Sequence, residues 1–131
     1  MRPAHRDPLC PCDTGLPYHA CCGRWHAGAE RLQAPDAQAL MRSRYSAFVL
    51  DDLAYLLDTW HASTRPAALE PNPAGLKWLG LQIKRYVAQD EAHAIVEFVA
   101  RSRLNGRASR MHETSRFVRE DRWYYVHGEL R

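Results

Sequence analysis

The order of apolar and polar positions divides most of the chain into a helical part and a strand part. Between residues 37 and 60, apolar side chains recur every three or four positions: Ala37, Leu40, Met41, Ala47 and Phe48, then Leu53, Leu56, Leu57 and Trp60. That period puts each group on one stripe of a helix and predicts two helices, one over residues 36–50 and a second ended by Pro66. Asp36 follows a proline and can accept from the free amides of the first turn, as Asp51 and Asp52 can for the second helix. Residues 65–75 carry Pro66, Pro71, Pro73 and Gly75, a composition that predicts a loop. Beyond it the period shortens to two. Leu79, Leu81, Ile83 and Val87 form one strand face, and Ala92, Ala94, Val96, Phe98 and Ala100 a second. Met111, Glu113, Ser115 and Phe117 form a third, and residues 123–127 make the last strand. Asn105-Gly106 is a hairpin turn pair, because both residues accept positive φ. Helix, helix and four strands in succession predict an α+β fold, a two-helix hairpin packed on a curved antiparallel four-stranded sheet. The twist of such a sheet gives it a concave side that can enclose a pocket.

Ahead of the helices lies a different kind of segment. All four cysteines fall within the first 22 residues, as Cys10-Pro11-Cys12 and Cys21-Cys22. Four thiolates from two short stretches supply the tetrahedral soft shell that a zinc ion prefers. Adjacent ligands imply a turn or a first helical turn at Cys21-Cys22, since in a strand they would point to opposite sides. Disulfides within either pair would close very small rings, which leaves cross-pairings as the covalent alternative. An iron–sulfur cluster is a further alternative, although its ligands are usually more widely spaced. The reading adopted is one zinc held by Cys10, Cys12, Cys21 and Cys22, with Arg24 and nearby amides donating to the sulfurs. His19 and His26 lie close enough in sequence to replace one cysteine. Four thiolates leave no open position, so the site is expected to be structural.

Length and composition frame this as one compact domain with a small appendage: 131 residues, of which 46% are hydrophobic. The expected divisions are a metal module over residues 1–27, a linker over 28–35 and the α+β domain over 36–131. Residues 1–7 contain no apolar leader-like run and no later stretch reaches membrane-spanning length, so a cytoplasmic location, where thiols stay reduced, is expected. The net charge of +3 is too small to imply nucleic acid. Arg101, Arg103, Arg107, Arg110, Arg116, Arg119 and Arg122 do cluster. They would meet phosphate if they lined one sheet face, and are otherwise a solvated hairpin.

Glu113 shares a predicted strand face with Met111, Ser115 and Phe117, where a carboxylate must be paired or held at raised pKa. Arg42 or Arg44 on the first helix is the expected partner; unpaired, Glu113 would suit proton transfer beside a carbonyl. Tyr45, Trp60, Trp78 and Trp123 would line a pocket if one exists, and are otherwise core. No nucleophile triad or phosphate-binding glycine loop is present.

The segment Cys10-Pro11-Cys12-Asp13-Thr14-Gly15-Leu16-Pro17-Tyr18-His19-Ala20-Cys21-Cys22-Gly23 resembles the SEC-C motif, a small zinc module at the C-terminus of the SecA ATPase and on many other proteins. The usual motif has Gly-Ser where Asp13-Thr14 stands. The rest of the chain resembles the YchJ family, bacterial proteins with this motif ahead of a nuclear-transport-factor-2-like (cystatin-like) domain. The likeness rests on Leu40-Met41-Arg42-Ser43-Arg44-Tyr45-Ser46-Ala47-Phe48, Thr59-Trp60-His61, Trp78-Leu79-Gly80-Leu81, Val96-Glu97-Phe98-Val99-Ala100-Arg101, His112-Glu113-Thr114-Ser115-Arg116-Phe117 and Arg122-Trp123-Tyr124-Tyr125-Val126. The resemblance implies metal binding and that fold, which by itself does not settle function. The expectation is a zinc-stabilised, non-enzymatic adaptor that meets a protein partner through the metal module. The alternatives are a small-molecule-binding protein or enzyme with Glu113 as acid or base, and nucleic-acid binding through the module and the arginine-bearing strands.

Overall fold

A computed structural model describes residues 8–131. The reading of residues 1–7 as free of a leader therefore lies outside the described residues. A 3-10 turn at Tyr18–Ala20 is followed by a short helix α1 (Gly23–His26), α2 (Ala37–Val49) and α3 (Leu53–Asp58). Four strands come next: β1 (Leu76–Ala88), β2 (His93–Leu104), β3 (Arg107–Arg119) and β4 (Trp123–Leu130). They form one antiparallel meander in sequence order, the expected α+β architecture.

Local chemistry accounts for the boundaries. Asp36 takes an extended conformation and its carboxylate accepts from Ala39 N at 2.7 Å, satisfying a free amide at the start of α2. Asp51 and Asp52 divide the work at the next corner. Asp51 turns the chain at φ 56°, and Asp52 accepts from Tyr55 N to start α3. Asn105 and Gly106 both adopt positive φ and connect β2 to β3.

The inner sheet face offers Ala94, Val96, Phe98, Ala100 and Phe117, and the helices bring Leu40, Met41, Tyr45, Ala47, Tyr55 and Leu56 onto it. Burying Leu40 and Leu56 contributes about 1.5–3 kcal/mol each. The same core runs without a break into Cys10, Cys12, Cys21, Cys22 and Trp25. Residues 28–35 lie against it: Leu32 N donates to Trp25 O, Arg31 to His26 O, and Ala34 is buried.

One strand face departs from simple alternation. A bulge between Trp78 and Gly80 resets the register of β1, so that Trp78 packs inward while Leu79 is 46% exposed. The expectation that Leu79 shares a face with Leu81 is therefore corrected. The segment between α3 and β1 is the predicted loop, and Asn72 pins it. Its backbone N–H donates to Asp51 Oδ1, and its Nδ2 donates to Phe48 O.

Candidate metal centre and cavity

The four thiols converge at the edge of α2. Cys10 and Cys12 sit on either side of the Pro11 turn, and Cys22 forms the N-terminal boundary of α1, the first-turn geometry expected for adjacent ligands. All four Sγ atoms lie within 4.8 Å of one another, with Cys12 and Cys21 3.5 Å apart. Thiolates about 2.3 Å from a shared zinc stand about 3.8 Å apart, so this arrangement has the size of a tetrahedral sulfur shell. The cysteines are free and buried. Hydrogen bonding to Cys10 and Cys12, reinforced by burial, drives the Cys22 thiol far above its ordinary range, and the reciprocal contacts pull Cys10 far below it. Such a dry cluster carries several thiolates together only beside a cation.

Hydroxyls complete the shell. Thr14 Oγ1 lies 3.1 Å from Cys21 Sγ, and Ser46 Oγ on α2 lies 3.4 Å from Cys10 Sγ. Arg24, expected to donate to sulfur, bonds the Cys21 carbonyl instead and lies over the Trp25 ring. His26 is outside the thiol cluster. Its Nε2 faces Ser43 O at 2.7 Å and its Nδ1 faces Tyr18 Oη at 2.5 Å, and burial lowers its pKa.

Three contacts fasten this centre to the rest of the fold. Ser46 reaches Cys10, Arg42 Nη1 donates to Cys12 O at 2.7 Å, and Asp13 Oδ2 accepts from Leu81 N at 3.0 Å. Asp13 sits at φ 68°, and Gly80 takes φ 155° at the bulge. A Cβ on Gly80 would lie 2.7 Å from Asp13 Oδ2, so the approach requires glycine.

On the other side of α2, a cavity of about 360 Å³ opens between the helix, the loop at residues 70–73 and the inner sheet face. Arg44, Tyr45, Glu113 and Ser115 line it; Arg42 and Trp60 do not. Arg42 is spent on Cys12 O. Trp60 packs edge-on against Tyr125 behind the cavity wall, and its Nε1 has no hydrogen-bond partner among the described residues. Phe48, Asn72 and Met111 also wall the cavity and carry no local sequence signal for it. The Pro71-Asn72-Pro73 run predicts only a loop, and nothing local reveals that it folds back onto α2.

The expected ion pair of Glu113 with Arg42 or Arg44 does not form. Glu113 Oε2 instead accepts from Ser115 Oγ at 2.7 Å. Opposite Ser115 in β4 stands Gly128, where a Cβ would run into that carboxylate oxygen. Arg44 is buried. Its Nη1 donates to Leu56 O and Thr59 Oγ1, and its guanidinium lies 4.3 Å over Tyr125 and 5.0 Å over Trp60. Burial lowers its pKa to about 10, so it stays cationic at neutral pH.

The arginine cluster is exposed and shared between faces. Arg101 stands opposite Arg110 on the outer face, whereas Arg107 has the parity of the inner one. Arg122 is occupied by the Asp58 carbonyl and the Tyr124 ring.

A cysteine-rich segment seated on helices and a four-stranded antiparallel meander defines a SEC-C motif protein with a nuclear-transport-factor-2-like domain, and known proteins show the same combination. The model for the YchJ middle NTF2-like domain matches residues 36–128. A UPF0225 protein of Bordetella parapertussis is 64% identical over 99% of this chain and 98% of its own length, and one of Methylibium petroleiphilum is 61% identical over 92% and 88%. The solution structure of a SEC-C motif containing protein from Rhodopseudomonas palustris superposes with a TM-score of 0.77 at 31% identity, covering 92% of this chain and 96% of that one. The crystal structure of a SEC-C motif containing protein from Psychrobacter arcticus gives 0.75 at 27% identity, over 93% and 82%. The chain belongs to the YchJ family. Among the described residues, no helix is long and apolar enough to cross a membrane.

Proposed function

We propose that this is a zinc-stabilised protein that binds a small organic molecule in the cavity beneath α2, in a reducing compartment such as the cytoplasm. The observation that carries the reading is the cavity itself, which has apolar walls and a carboxylate, Glu113, held by Ser115 rather than closed off by an ion pair. Zinc suits four buried thiols because four sulfurs fill a tetrahedron and need no open position. In that role the ion chemically closes its own site, and the residues around it act as a brace. Ser46 and Arg42 tie it to α2, and Asp13 ties it to β1, so α2 and the strand that brings Trp78 to the cavity share one anchor.

Ligand-detected NMR against a library of small aromatic and aliphatic molecules tests the reading on the full chain with its metal retained. Binders whose saturation transfer is lost in Phe98→Trp, which fills the cavity, support it; no binder at millimolar concentration overturns it. Turnover of a bound molecule, abolished in Glu113→Gln, would make the protein an enzyme with Glu113 as acid or base.

A second reading rests on the outer side of the metal segment, where Leu9 is 67% and Leu16 48% exposed beside the Leu9–Pro17 bridge. These side chains suit a protein partner, the adaptor role. A partner retained by the native chain and lost from a Leu9→Asp/Leu16→Asp variant supports that role, and retention by the variant contradicts it.

A further inference from the structure

The cavity holds a cation and an anion that do not meet. Arg44 and Glu113 both line it, and no ion pair joins them. Arg44 is 3% exposed. Its Nη1 is committed to Leu56 O and Thr59 Oγ1, and no oxygen among the described residues accepts from its Nε or Nη2. Glu113 is half-buried, with Oε2 committed to Ser115 and no donor to Oε1 among the described residues. The Tyr125 and Trp60 rings, packed edge-on with centroids 5.0 Å apart, meet the guanidinium as cation–π partners and do not satisfy its N–H groups.

A buried cation and a carboxylate that line one cavity without meeting are both stabilised by a group that reaches the two, accepts from the one and donates to the other. Charged ligands are disfavoured on both sides. An added carboxylate meets Glu113, with Glu70 also on the cavity wall, and an added ammonium meets Arg44. The remaining lining is apolar and aromatic, including Tyr45, Phe48 and Trp78.

Resting on the cavity reading above, we infer that the ligand is an uncharged molecule with an apolar or aromatic body and one hydroxyl or primary amide, which bridges Arg44 and Glu113. The hydroxyl oxygen accepts from the guanidinium and its proton goes to Glu113 Oε1. This is recognition by hydrogen bonding without a net charge. A site built this way rejects an analogue that lacks the donor, because burying it leaves the carboxylate unpaired.

Four probes of one shape test this on the full, metal-retaining chain by ligand-detected NMR: 2-(2-naphthyl)ethanol, its methyl ether, 2-naphthylacetate and 2-naphthylethylamine. The alcohol is expected to bind at least about tenfold more tightly than each of the others, the size of a lost hydrogen bond to a charged group. In Glu113→Gln, whose side chain is neutral and of similar shape, the acetate should gain on the alcohol by about tenfold. Equal binding of the alcohol and its ether, or the acetate or amine binding most tightly, overturns the ligand class while leaving the cavity reading intact. Failure of all four probes at millimolar concentration overturns the ligand class, and the cavity reading falls with it only when the wider library also yields no binder. The ranking in the unaltered protein decides the matter even if the variant does not fold.

Discussion

The carboxylate of Asp13 accepts from the backbone N–H of Leu81 at 3.0 Å, a contact across 68 residues that fastens the cysteine segment to the first strand. It joins two departures from regular structure, the left-handed turn at Asp13 and the bulge at Gly80, each of which makes sense only in the presence of the other.

Removing that carboxylate should therefore act at a distance. Asp13→Ala is expected to lose about 1–3 kcal/mol by leaving the Leu81 amide unsatisfied in a partly buried setting. Gly80→Ala should do at least as much harm, since its Cβ would meet Asp13 Oδ2 and its φ of 155° strains any L side chain. Urea unfolding of each variant checks this, and two curves that overlay the native one would contradict it.

The thiol cluster predicts a sharper loss. Cys12→Ser and Cys22→Ser each remove a fully buried thiol of the proposed metal site, and each should cost the bound metal along with cooperative folding. The measurement is metal content by mass spectrometry beside a thermal melt, with one zinc per native chain and less than one in either variant.

Much of this was legible in the sequence. The Asp36 cap, the Asn105-Gly106 turn and the period-two strands follow from local chemistry that tertiary contacts reinforce. The convergence of the four thiols was legible for a related reason, since two short segments offer enough sulfur for a whole coordination shell. Other features depend on partners far along the chain. Leu79 faces outward because Gly80 bulges to receive Asp13, and Arg42 is drawn from the pocket to the Cys12 carbonyl. The fate of Arg44 was hidden likewise, because Leu56, Thr59, Trp60 and Tyr125 surround it only once α3 and β4 have met.

Gly128 should prove intolerant for a reason confined to the cavity. Alanine there would push its Cβ into Glu113 and displace the carboxylate from Ser115. Gly128→Ala/Glu113→Ala should recover stability that Gly128→Ala loses, by about 1 kcal/mol or more, as expected for side chains in direct contact. Additive losses in thermal or urea unfolding would contradict the contact.

His26 sets a pH dependence with a defined sign. Burial holds its folded pKa below the ordinary 6.5, so the unfolded chain takes up the proton first as pH falls. Its contribution to stability is complete above about pH 6.5 and is lost as pH falls through the lower folded value. His26→Gln should therefore show a shallower fall in stability below pH 6.5 than the native chain at equal metal loading. Identical slopes would contradict the assignment, and acid release of metal cancels in the comparison because the thiols are common to both proteins.

A sulfur-bound ion is proposed to brace two of the elements around the cavity, α2 and the β1 strand that carries Trp78. Hydrogen exchange measured on the full chain before and after removal of zinc by a chelator under reducing conditions tests it most directly. Amide protection is expected to fall together in residues 42–48 of α2 and 78–83 of β1, the stretches tied to the thiol segment by Arg42, Ser46 and Leu81, while the β2–β3 ladder retains more of its own. Unchanged protection in both stretches after the metal has gone would contradict it.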